Sequence, residues 1–392
     1  MKRKCLIILL SALWALLLIM VNDRETAAAQ PQPDQYQTYV RLGIEKALNL
    51  EFQNAHIQLQ KAVEMTPENP TGYAYLAIIN LFAYEMSFDE KTRRKNQEAM
   101  LLYVDETLTR GDKRIENTKD SQAYFAMAMA KIAKVNWALH QKHYFIMASE
   151  TSKIWDYLEK AREGDPQNYD IYFLMGLFHY HIDHLPGLTR FLSSLMITSG
   201  DTQKGLQELE LAAQKGDFLK QLARAELSSN YLNFEKQPAR ALPLIQDLKG
   251  KYPNNYNYSF SLGNTLADLG RFDEAFQIAR EVEKKIQAGI SPFVPQLQPR
   301  YYQLMGRIFF GQGEYEQAAQ YFRKTLTDTS PYNARVRARA FVWLGMISDA
   351  RGERDKAQEY YSQALDVEGG EGTAQIDAKK YLKNSYTVPP KN

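Results

Sequence analysis

The stretch 305-MGRIFFGQGEYEQAAQYFRKTL-326 decides the fold, because its spacing recurs. Gly306 and Ala318 stand twelve apart, Gly313 lies between them, and Phe322 follows. The frame returns in 344-LGMISDARGERDKAQEYYSQAL-365 with Gly345, Gly352, Ala357, Tyr361 and Ala364. It returns in 262-LGNTLADLGRFDEAFQIA-279 with Gly263, Gly270 and Ala275, and in 42-LGIEKALNLEFQNAHIQLQKAVEMTP-67 with Gly43, Ala55, Leu59 and Ala62. Two small residues at this spacing let a pair of antiparallel helices approach closely. Glycine between them supplies the positive φ of a tight turn, and Pro67 ends the second helix. A lone hairpin of this kind cannot bury its apolar face, so neighbouring hairpins must stack.

This pattern resembles the tetratricopeptide repeat family over nearly the whole chain beyond residue 30. The resemblance implies an all-α, right-handed superhelical solenoid of antiparallel helix pairs, with about eight hairpins spanning 36–386. Weaker copies fill 70–112, 118–167, 169–217 and 219–254, marked by residues such as Tyr73, Ala77, Leu158, Ala161, Gly176, Ala212, Ala241 and Ile245. The polar stretch 373–386 has the length of a solvating cap helix. Residues 30–35 are expected to form a linker and 387–392 a disordered tail.

One copy is enlarged. Gly176 and Gly205 take the places of the paired small residues, yet they are twenty-nine apart, and the extra residues form an insert at 182–201. Pro186 disfavours helix at Leu185, Pro186-Gly187 suits a type II turn, and Leu188, Phe191, Leu192, Leu195 and Met196 recur as in a short amphipathic helix. Asp201 is placed to cap the helix that follows. The run 175–216 resembles a bacterial exported subfamily of tetratricopeptide proteins with a Leu-Pro turn, an apolar insert, then Gly-Asp and Gly-Leu. That resemblance implies architectural roles for Leu185, Pro186, Gly200, Asp201, Gly205 and Leu206.

Histidines crowd the entrance of the insert. Residues two apart on a helix point about 200° apart, so His179 and His181 cannot share an ion while the helix persists. His181 and His184, with His143 from the preceding hairpin, are the candidates that spacing leaves for a metal. No thiolate pair or His-Glu-x-x-His motif accompanies them, so no metal or other cofactor is expected.

The first residues read as a secretory signal: Lys2, Arg3 and Lys4, an apolar run from Cys5 to Val21, and Ala27-Ala28-Ala29 before Gln30. Cleavage after residue 29 predicts a periplasmic or secreted protein. The alternative is an inner-membrane anchor formed by residues 5–21, the only route by which the chain would contact a membrane. Cys5 is the sole cysteine, so the processed chain has no thiol for a disulfide or a nucleophile. Processing removes Lys2, Arg3, Lys4 and Arg24 with Asp23 and Glu25, taking the formal net charge from +2 to zero. No bulk charge favours nucleic acid.

The sequence has no Gly-x-Ser-x-Gly elbow, phosphate loop or dinucleotide fingerprint, and an enzyme is not expected. The expected function is recognition of a protein or peptide along the groove lined by first helices. Second, fifth, ninth and twelfth positions of those helices give the groove candidates Asn257, Asn264, Arg300, Gln303, Arg307, Arg339 and Asp349. Their arginines are suited to paired hydrogen bonds with a carboxylate.

Overall fold

The structure is a computed structural model that describes residues 33–116, 118–141, 143–182 and 200–388. Among them, seventeen α-helices form eight antiparallel pairs and a final single helix, with no strand. The first pairs are α1 (Pro33–Leu48) with α2 (Phe52–Met65), α3 (Pro70–Met86) with α4 (Glu90–Ile115), and α5 (Ser121–His140) with α6 (Tyr144–Gly164). They continue as α7 (Asp170–Ile182) with α8 (Thr202–Lys215), α9 (Lys220–Asn233) with α10 (Pro238–Lys251), and α11 (Tyr256–Asp268) with α12 (Phe272–Gln287). The last are α13 (Gln298–Gln312) with α14 (Tyr315–Leu326), α15 (Ala334–Ala350) with α16 (Arg354–Asp366), and the cap α17 (Thr373–Lys383). This is an all-α solenoid of stacked helix pairs.

Side chains set the helix starts. Asn69, Asp89, Asp120, Asp201 and Asn255 each accept a bond from a backbone N–H in the first turn of the helix they precede, satisfying a donor the helix leaves open. The expected linker is shorter than read, because α1 begins at Pro33, whose missing N–H and fixed φ suit a first helical position. At the other end Tyr386 is docked, its N–H bonded to Asp349 and its ring against Phe310 and Tyr381. Residues 389–392 of the expected tail, the cleavage region, and the turn and apolar helix expected at 186–197 lie outside the described residues.

Close approach explains the small residues. A Cβ at Gly205 would lie 2.5 Å from the backbone nitrogen of Tyr180, so α7 and α8 touch main chain to main chain. A Cβ at Gly306 would meet the ring of Phe322 at 2.6 Å. Buried Asp170 ties the same region together: its carboxylate accepts from the N–H groups of Asp217, Phe218 and Leu219 at 2.9–3.0 Å, where α9 begins.

The array turns back on itself. Arg41 of α1 pairs with Asp217 at 2.8 Å and covers the ring of Phe218, which also meets Tyr75 of α3. Asn254 donates its N–H to Asn49 Oδ1 at 3.1 Å. Asn255 does two jobs, capping α11 through Oδ1 while its Nδ2 donates to the carbonyl of Leu48. At the α3–α4 turn, Phe88 meets Tyr332 edge-on, Arg93 lies over the same ring, and Tyr256 donates to the carbonyl of Met86. The first two hairpins therefore lie across the loops that join later repeats, and one apolar cluster runs from Val40 to Ile308.

Candidate functional site

The groove candidates fall on α11, α13 and α15, but most are already engaged. Asn257 donates to the sulfur of Met86 and accepts from Arg300 at 2.7 Å, so the N-terminal hairpins reach this part of the inner surface. Arg307 makes two bonds to Asp268 and lies over Trp343. Arg339 pairs with Asp377 of the cap and donates to Thr373 Oγ1 at 2.7 Å. Gln303 donates to the carbonyl of Val336 at 3.2 Å. Asp349 is not available to a ligand: its side chain is 1% exposed and accepts from Arg354, Tyr361 and the N–H of Tyr386. It acts as the bracket that holds the C-terminal residues to α15 and α16. The twelfth-position reading failed there because the cap and the residues after it cover that end of the helix.

Two candidates keep unused capacity. Asn264 Oδ1 is buried with no partner among the described residues. Among the described residues Arg300 has a single hydrogen bond, to neutral Asn257, and it packs over the rings of Tyr256 and Phe260 at 5.5 and 4.7 Å. Burial pulls its pKa below the ordinary arginine value, and no carboxylate of the described residues pairs with it. Its charge is instead held by ring faces, a weaker compensation than an ion pair in a dry setting.

The inner surface has a further cation that frame counting along first helices passed over. Lys236 lies in the turn between α9 and α10. Its side chain is exposed, yet desolvation by the surrounding protein is the main influence that lowers its pKa. The charges acting on Lys236 are, in order, Asp377, Arg339, Arg307 and Asp268. A lysine in a polar loop carries no periodic signal. The clue was its register, seven residues after the small residue Ser229.

The histidines separate as their helical phase requires. His179 Nδ1 meets Glu208 at 2.6 Å in a buried pair with Trp155 edge-on, and His181 Nε2 meets Glu226 at 2.6 Å on a different helix. His143 is exposed with its ring against Trp137, and His184 lies outside the described residues. Among the described residues no group of three or more His, Cys, Asp or Glu side chains converges. The described partners of His181 thus include neither His143 nor a second carboxylate, and its imidazole nitrogen is committed to Glu226.

A model described as "Tetratricopeptide repeat" matches residues 228–290 and 304–372. Over those two stretches the chain is similar to tetratricopeptide repeats. The matched residues take in α10, α11, α12, α14, α15 and α16 with most of α13 and the end of α9, where the glycine and alanine frame is most regular. Solved structures with similarity include a tetratricopeptide repeat protein from Parabacteroides merdae ATCC 43184, at 16% identity, covering 78% of this chain and 98% of that one, with a TM-score of 0.32. Yeast Tom70 aligns at 10% identity over 90% of this chain and 89% of that one, with a TM-score of 0.37. The tetratricopeptide domain of P58(IPK) aligns at 14% identity over 90% and 99%, with a TM-score of 0.22. No curated protein sequence matches. Among the described residues no helix is long and apolar enough to cross a membrane.

Proposed function

We propose that this chain is an exported tetratricopeptide scaffold that holds a segment of another protein against its inner surface. The observation that carries the reading is Arg300, a guanidinium with a neutral hydrogen-bond partner and, among the described residues, no carboxylate. Asn264, one repeat earlier, adds an unpartnered carbonyl oxygen on the same side of the array. A bound segment supplies what both lack: acceptors for the arginine and a donor for the amide. The residue pattern of 2–29 supports export, with the processed chain starting at Gln30. If residues 5–21 are retained as an anchor, the same surface serves at the membrane.

Affinity capture from a native envelope extract tests the scaffold reading, with Asn264→Arg as the blocked control. The following repeat already carries Arg307 at this register, so the frame accommodates the side chain. The expected result is a partner recovered by the wild-type chain and lost from the variant at an unchanged melting temperature. Equal recovery by both contradicts the assignment of this surface. N-terminal sequencing of the exported chain tests processing: Gln30 is expected first, and Met1 establishes the anchored form.

A further inference from the structure

The turn between α3 and α4 lies on the inner surface assigned to the partner. Ser87 and Asp89 have extended backbone, with ψ of 136° and 122°, so the side chains on either side of Ser87, Met86 and Phe88, leave the chain in the same direction. Ser87 Oγ pins the stretch, accepting from the Asp89 N–H and donating to the Asp89 carbonyl, both at 3.3 Å. Met86 then meets Tyr256 and Asn257 at the start of α11, and Phe88 meets Tyr332 just before α15, edge-on at 5.9 Å.

These contacts hold the turn loosely. Arg300 donates to Asn257 Oδ1 at 2.7 Å, and because a guanidinium accepts nothing, the amide nitrogen is the group turned to the Met86 sulfur at 3.1 Å. The Tyr256 hydroxyl is shared between the Met86 carbonyl at 3.3 Å and the same sulfur at 3.5 Å. A thioether is a weak acceptor for two such donors. The seam beyond the turn is thin as well. Among the described residues no helix of the first two hairpins packs along a helix from α9 onward, so loops make the closure. Asn49, whose bond to Asn254 bridges the seam, lines two clefts of about 420 and 380 Å³, one reaching Lys251 and Tyr252 and the other Asn254 and Pro292. The Arg41–Asp217 pair is about half exposed on both sides, where water and salt weaken it. Contacts of this kind part while the hairpins themselves stay folded.

We propose that the α3–α4 turn is a built-in occupant of the recognition surface, and that a partner binds by displacing Met86 and Phe88 with an extended segment of the same chemistry, an apolar side chain followed two residues later by an aromatic one. The inference rests on the scaffold reading and deepens it, since the surface is closed at rest and the displaced turn is the template for what replaces it. A main-chain carbonyl of the incoming segment is a better acceptor than the thioether for Asn257 and for the N–H groups that Arg300 leaves open, which favours the exchange.

Random dodecapeptides displayed on phage test this, selected in parallel against the full chain, its Phe88→Ala variant, and a Cys5→Ser chain with Asn49→Cys and Asn254→Cys held reduced. Peptides with the apolar-x-aromatic pattern are expected. They should bind Phe88→Ala about tenfold more tightly than wild type, the gain when a competent state populated about one-tenth of the time becomes dominant. Oxidising the cysteine pair should weaken them about tenfold or more, and reduction should restore them. The oxidised and reduced chains differ by one bond, so this arm decides even where Phe88→Ala lowers stability. Equal binding to the oxidised and reduced forms, or selected peptides without the pattern, overturns the inference and leaves the scaffold reading standing. If no form selects any peptide, the scaffold reading itself fails and the inference falls with it.

Discussion

From α9 onward the hairpins are nearly interchangeable, while those before α9 are each different. In the later region, paired small residues stand twelve apart, the turns after α11, α13 and α15 close on glycine, and each hairpin packs chiefly on its neighbours in sequence. In the earlier region α4 runs for 26 residues, α5 and α6 for 20 and 21, and an insert separates α7 from α8. The first two hairpins then reach past their neighbours to Asp217, Asn254 and Tyr332. A regular array extends by nearest-neighbour contact, and it is the first two hairpins that bring distant repeats together.

The largest expected effect compares the two regions at their closest helix contacts. Gly205→Ala should cost about 3 kcal/mol in denaturant unfolding, because its Cβ meets the main chain of Tyr180, which cannot rotate away. Gly306→Ala should cost about half that, since the obstructing group is the Phe322 ring. Equal losses would erase the distinction between a backbone contact and a side-chain contact.

A smaller and more pointed contrast sets Leu50 against Lys236. Both are strained at the same register, so removing either side chain relieves about 1 kcal/mol. Leu50→Gly also forfeits apolar packing worth about 2 kcal/mol, and should lower the melting temperature. Lys236→Gly forfeits no internal contact and should leave the melting temperature level or raise it. Two variants that both destabilise would mean that Lys236 is a structural residue.

The smallest effect depends on pH. Glu150 accepts from Lys131 and Lys134 between α5 and α6, with its side chain 14% exposed. Burial alone would raise its pKa, but the hydrogen bonds and charges of the two lysines outweigh it and hold the carboxyl below its ordinary 4.5. A depressed carboxylate contributes stability that is complete above 4.5 and lost as pH falls through the lowered value. Glu150→Gln should therefore cost about 1 kcal/mol at pH 7, with the difference from wild type shrinking below pH 4.5. A difference that stays constant down to pH 3 would show that the triad does not titrate.

The parts of this molecule that sequence makes legible are those set by local geometry. Gly313 at positive φ, Ala318 buried at a helix contact, and Asp201 capping α8 follow from spacing and residue type. Spacing puts the groove candidates on α11, α13 and α15 but says nothing about what else reaches them. Asp268 claims Arg307, Asp377 claims Arg339 and Met86 meets Asn257, each from another element and the last from 171 positions away. Lys236 was hidden for the opposite reason. It belongs to a turn, where periodicity is silent, and only its mismatch with the glycine of other repeats marks it.

The claim on which the folded-back array depends is that the first hairpin closes onto the loop before α11. Disulfide trapping tests it directly in a Cys5→Ser chain carrying Asn49→Cys and Asn254→Cys, whose native partners are hydrogen-bonded at 3.1 Å. The closed array predicts rapid, near-complete intramolecular cross-linking under mild oxidation, with the melting temperature raised. Thiols that stay reduced in a folded chain, or that cross-link only between molecules, would contradict it.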